Sequence, residues 1–160
     1  MNMRTHTRQH GAALIELAFI LPLLLLMSFI TTEFGRAMYQ YNTITKSVRD
    51  AVRYLTVQTP GTGVTQARNL IVYGSTVNTG TPMLLGLTEA NVAAPVWETQ
   101  ATTMPSAPGP FINVVTVTVT GYCFEPLFTS VFGVSFGTTA CGNGAGIPYG
   151  DITATMRTQL

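Results

Sequence analysis

One acid inside an apolar run is the residue of this sequence with the most chemistry to explain. Glu16 sits in GAALIELAFILP (residues 11–22), and it is the only charged side chain from residue 12 to residue 32. An ionised carboxylate deep in a bilayer costs ~2.5–3.5 kcal/mol or more, so it needs a partner. Other reactive groups are sparse. Cys123 and Cys141 are the only cysteines, and His6 and His10, the only histidines, both precede Gly11. Removal of that end leaves no imidazole, which weighs against a Ser-His-Asp or Cys-His catalyst and against a His-ligated metal. Glu89, Glu98, Glu125 and Asp151 could include a carboxylate pair for hydrolysis, but nothing in their spacing selects two of them. CGNGAG (141–146) lacks the preceding strand and following helix of a nucleotide-binding loop and reads as a flexible turn. The sequence therefore predicts neither an enzyme nor a cofactor.

The elements that hold these residues follow from composition and periodicity. Charged residues are 9% of the chain, against roughly 25% in soluble domains. The net charge of +1 provides no field for nucleic acid. At about 1.5 Å per residue, residues 12–32 reach ~30 Å as a helix, the thickness of a hydrocarbon core. A removable signal has a shorter apolar region followed by small residues at its cut. Here the run leads through SFITT into Glu33-Phe34, so a retained membrane helix is predicted. Arg4 and Arg8 precede it, but Arg36, Lys46 and Arg49 follow it closely, and the basic count leaves orientation open. The Thr/Gly-rich, nearly uncharged remainder with two cysteines places the C-terminal part outside the cytoplasm. There, Cys123 and Cys141 most simply form one disulfide worth ~3 kcal/mol; the alternative is two buried thiols.

Beyond Thr32, Phe34, Ala37, Tyr41, Ile44, Val48, Ala51 and Leu55 step by three and four residues and mark one face of a continuing helix. Lys46 and Asp50 are spaced for an i,i+4 ion pair. Pro22 should kink or loosen this rod. Residues 65–73 read as a short helix ended by Gly74, with Ala67, Leu70 and Ile71 inward, and residues 75–82 as a loop. Strands are predicted over 91–97 (an edge, given Pro95), 112–120 and 152–157, with a Pro-rich turn over 104–110. Val115, Val117 and Val119 face the core and their threonine neighbours face water. Trp97, Tyr122 and Phe124 read as core aromatics. The predicted fold class is α+β: a long N-terminal helix packed on a small antiparallel sheet, divided into a leader (1–11), the helix (12–57) and a β-rich domain (58–160).

The assembled features carry a resemblance. Gly11, small Ala12 and Ala13, Glu16, Pro22, the stretch Glu33-Phe34-Gly35-Arg36, residues 69–74 and the terminal Thr155-Met156-Arg157 resemble TadE-like minor pilins of tight-adherence (Flp/Tad) pilus systems, within the type IV pilin superfamily. The resemblance implies a pilin-like fold and cleavage after Gly11 by a membrane prepilin peptidase, leaving Glu16 as the fifth residue of a chain starting at Ala12. The freed Ala12 amine, its own or a neighbour's, is then the partner that Glu16 lacks. At ~4 Å and an effective dielectric near 20 such a pair gains about 4 kcal/mol before desolvation. A neighbour's amine would also fix the stagger between subunits. The bland alternative is a Glu16 near the membrane surface that reaches water and does nothing. Arg36, off the apolar stripe and just beyond the lipid, is expected to meet neighbouring rods. The implied partners are lipid, the peptidase and other pilins, with no nucleic acid, and the implied location is the bacterial inner membrane, single-pass. The competing function is a membrane-tethered adhesin.

Overall fold

In the computed structural model, residues 10–159 are described apart from 105, 106, 129, 132, 136, 142 and 143. All but His10 and Gly11 of the expected leader lies outside them. The helix α1 runs His10–Leu55, so it already includes His10 and Gly11 and passes through Pro22 without a break. Pro22 has no N–H for the carbonyl four residues earlier, yet one missing bond does not end a helix held by its neighbouring turns. Its apolar half is long and apolar enough to cross a membrane, and none of that window is covered by the rest of the chain.

The other half of α1 is the spine of the domain. Ile44, Val48, Ala51, Val52 and Leu55 are completely buried. They pack on α2 (Val64–Tyr73) and on the sheet, where Val115, Val117, Val119 and Ile152 close the core. Burying one such side chain contributes roughly 1.5–3 kcal/mol. The predicted stripe is right at its C-terminal end and breaks down at its start: Phe34 and Tyr41 are exposed. The Lys46–Asp50 spacing closes no ion pair; both side chains line a cavity of about 540 Å³ between α1 and α2. At the end of α2, Gly74 takes φ 70° and its N–H caps the Leu70 carbonyl. The left-handed conformation favours glycine, and a Cβ there, 2.6 Å from Met83 Sδ, would also push that flexible side chain aside.

The main sheet has the order β1-β2-β8, built from β1 (Val96–Met104), β2 (Ala107–Val119) and β8 (Ile152–Arg157), all antiparallel. Its register matches the alternation in the sequence. Val115, Val117 and Val119 oppose Met156, Ala154 and Ile152. On the other face the Thr116 and Thr155 hydroxyls are 2.8 Å apart and those of Thr118 and Thr153 3.0 Å apart.

Two expectations are corrected. The strand predicted over 91–97 is displaced: a 3-10 turn occupies Glu89–Asn91, Val92 makes one isolated bridge to Val119, and β1 begins at Val96. The cause is local, because Asn91 Oδ1 accepts the Thr88 N–H and hydroxyl at 2.9 and 2.8 Å, closing a turn where a strand would start. The Pro-rich turn over 104–110 is mostly strand. β1 and β2 continue to Met104 and from Ala107, with a register shift between Ala101 and Thr103. That shift leaves Pro110, which has no N–H to donate, outside the ladder on an edge pair.

After β2 the chain forms smaller pieces. β3 (Cys123–Phe124) pairs with β7 (Gly144–Pro148), which pairs with β6 (Thr138–Cys141), and β4 (Ser130–Val131) pairs with β5 (Val134–Ser135). The predicted glycine turn is therefore partly strand. Gly146 is buried, and a Cβ on it would fall 2.6 Å from Cys141 Sγ and 3.0 Å from the Phe124 carbonyl.

Candidate functional site

Two regions of α1 bear on function, its uncovered N-terminal half and the junction where the domain first touches it. In the N-terminal half, Gly11 is exposed and a Cβ on it would meet nothing within 4 Å. Small size here is therefore not demanded by packing inside this chain. Glu16 is exposed among uncovered apolar side chains and makes no ion pair within the described residues. It lies four residues from Ala12, hence on the same helical face one turn away. Pro22 is half-buried near the middle of the apolar segment.

The junction is the more built of the two. Thr31 and Thr32 donate their hydroxyls to the Met27 and Ser28 carbonyls at 2.8 and 2.9 Å, satisfying themselves within the helix. One residue later, Glu33 is only 7% exposed. Arg36 Nη1 donates to both its carboxylate oxygens, at 2.9 and 3.1 Å, and the Leu127 N–H approaches both at 3.3 Å. The Arg36 guanidinium also stands 5.3 Å from the centre of the Phe124 ring. Arg36 thus faces its own domain across α1, in addition to whatever it presents outward. The Phe29 and Phe128 rings, 4.9 Å apart, continue the contact toward the apolar half.

Above this junction three tyrosines tie the domain to α1. The Tyr149 hydroxyl donates to the Ala37 carbonyl at 2.7 Å, and its ring stacks on Tyr122 at 5.7 Å and contacts Tyr41 at 5.9 Å. The Tyr122 hydroxyl lies 3.0 Å from both Gln40 Oε1 and the Leu85 carbonyl. Burial, with Tyr149 and Glu125 beside it and against the pull of Arg36, pushes the Tyr122 hydroxyl up to about 12. Burial raises Tyr149 too. Cys123 and Cys141 are bonded, with Cα atoms 5.9 Å apart, so the expected disulfide is present and braces the strand that carries Phe124. Glu89 lies in the 3-10 turn, Glu98 on β1, Glu125 just after β3 and Asp151 just before β8, and among the described residues no group of three or more His, Cys, Asp or Glu side chains gathers.

The arrangement is an apolar rod with one acid near its start, continuous with a disulfide-braced domain. Residues 11–53 match the family model of TadE-like proteins. The match spans the rod from Gly11 to within a turn of its end, and so takes in Glu16, Pro22, Glu33 and Arg36 but none of the sheet. The similarity to TadE-like proteins therefore rests on this helix alone. No curated protein and no solved structure matches the chain.

Sequence reasoning gave Glu33 no role beyond its place in the TadE-like stretch and passed over Tyr149. Glu33 had a signal, an acid three residues before an arginine at the end of an apolar run. Tyr149 had none, since Ala37 and Tyr41, which it meets on α1, are over a hundred residues away in sequence.

Proposed function

We propose that this protein is a minor pilin or pseudopilin that takes part in assembling a tight-adherence pilus. In this reading α1 anchors it once in the bacterial inner membrane, the domain from residue 58 onward lies outside the cytoplasm, and its role is structural rather than catalytic. A prepilin peptidase removes the leader after Gly11. The new Ala12 amine neutralises Glu16, either in the same chain or in the next subunit, where the pair sets the axial stagger. Pro22 loosens the rod between this pair and the domain, allowing adjustment when lipid neighbours are exchanged for protein ones.

The observation that carries the reading is the TadE-like match over residues 11–53, lying on a helix whose apolar window has no buried residue among the described ones. The Cys123–Cys141 bridge supports the outward placement of the domain, because such bonds persist in oxidising compartments. The test is the N-terminal residue of the protein isolated from membranes. Ala12 is expected, and Met1 in cells with active peptidase would remove the proposal.

A further inference from the structure

The apolar surface beside α1 has a second contributor. Residues 126–128 descend from β3 to the last turns of the apolar run, held by the Leu127 N–H on Glu33 and by Phe128 against Phe29. Pro126 is buried, while Leu127 is 66% and Phe128 42% exposed. Large side chains with that exposure at a loop tip would be disfavoured in water. The loop brings no charge of its own, since the chain has no charged residue between Glu125 and Asp151. The one acid beneath the tip, Glu33, is buried under Arg36 and the loop itself. With Thr31 and Thr32 satisfied inside the helix, the apolar surface runs without a break from α1 onto the loop.

Depth follows from helix geometry. If residues 12–32 fill the hydrocarbon core, Phe29 lies about 5 Å inside its outer edge. Leu127 and Phe128 touch α1 between Phe29 and Glu33, hence at that edge. We propose that residues 126–128 form a second membrane contact, with Leu127 and Phe128 entering the headgroup–acyl boundary of the leaflet from which α1 emerges. The apolar wedge beside the helix would fix the tilt and rotation of the domain on the bilayer, which a single helix leaves free. The inference rests on the reading that α1 spans the membrane. A lipid surface is favoured over a protein neighbour because the tip is continuous with the segment that lipid surrounds.

The test uses the full chain in phosphatidylcholine vesicles, with Trp97→Phe removing the native tryptophan. Leu127→Trp is the reporter, Phe128→Trp a second one should the first fail to fold, and Leu21→Trp marks the middle of the helix. Lipids brominated near the headgroup or near the chain ends supply depth-dependent quenching. Quenching of Leu127→Trp severalfold stronger by the shallow bromines, with Leu21→Trp quenched by the deep ones, is the expected result. An unquenched Leu127→Trp beside a quenched Leu21→Trp overturns the loop contact alone. A blue-shifted but unquenched Leu127→Trp also overturns it and assigns the tip to a protein neighbour. An unquenched Leu21→Trp overturns the membrane reading beneath it.

Discussion

Glu16 and Glu33 are two acids on one helix with opposite circumstances. Glu33 is buried and partnered by Arg36 and a backbone N–H within its own chain, whereas Glu16 is exposed without an ion pair among the described residues. Removing each should therefore fail differently. Glu16→Leu makes the segment more apolar, so the protein should still fractionate with membranes while pilus counts fall; normal piliation would mean that the acid is inert. Arg36→Ala leaves the buried Glu33 without its cation and should cost ~1–3 kcal/mol, seen as a lower midpoint in denaturant unfolding of the full chain in detergent. That differs from the expectation drawn from sequence alone, in which Arg36 served only neighbouring rods, because a helical stripe cannot reveal a loop ninety residues away that docks on Glu33. Tyr122 gives a pH signature. Its folded value of about 12 lies above its ordinary value of 10, so the unfolded chain loses this proton first. Its contribution to stability is complete below pH 10 and declines as pH rises toward 12. Tyr122→Phe should flatten that alkaline decline, measured as unfolding midpoint against pH.

At the scale of elements, legibility tracked how local the determining interactions are. The C-terminal half of α1, α2 with its Gly74 cap, and the alternation of β2 and β8 were all readable, because each is set by periodicity or a cap within a few residues. Phe34 and Tyr41 broke the stripe because the sheet does not extend far enough along α1 to cover them. The start of β1 was obscured by a side-chain turn at Thr88 and Asn91, and the small strands after β3 have too few alternating residues to register. Two predictions follow the same division. Val48→Asp places a charge in the completely buried face of α1 and should abolish cooperative unfolding of the domain by near-UV circular dichroism. Replacing Cys123 and Cys141 together by Ala frees a loop of separation 18 and should cost ~3 kcal/mol while leaving the core of α1, α2 and the main sheet in place. Unchanged stability would mean that the β3–β6–β7 region is held by its backbone pairing alone.

For the whole molecule, the candidate site was legible at its N-terminal end and hidden at its junction. Gly11, Glu16 and Pro22 are contiguous in sequence, whereas Glu33, Phe124, Leu127 and Tyr149 meet only after the chain has folded back on itself. The chain closes that fold with its last residues: the Thr158 N–H donates to the Asn113 carbonyl at 2.8 Å and the Gln159 N–H to the Thr56 carbonyl at 3.1 Å. The C-terminal strand is thereby fastened to the end of α1 as well as to β2. Truncation before residue 158 should thus loosen the helix terminus and β8 together, detectable as faster amide exchange at both places.

One continuous helix is both the spine of the folded domain and the uncovered rod. The turns that bury Val48 and Leu55 belong to the same unbroken helix as those around Pro22, so the rod leaves the domain without a hinge loop between them. A subunit set loose in water would expose the entire apolar half to solvent. On the proposed membrane-anchored reading, its passage from bilayer to a pilus would be a direct hand-over, lipid contacts yielding to protein contacts turn by turn with no dissolved interval between. On that reading its supply is set by its density in the plane of the membrane and not by any aqueous concentration.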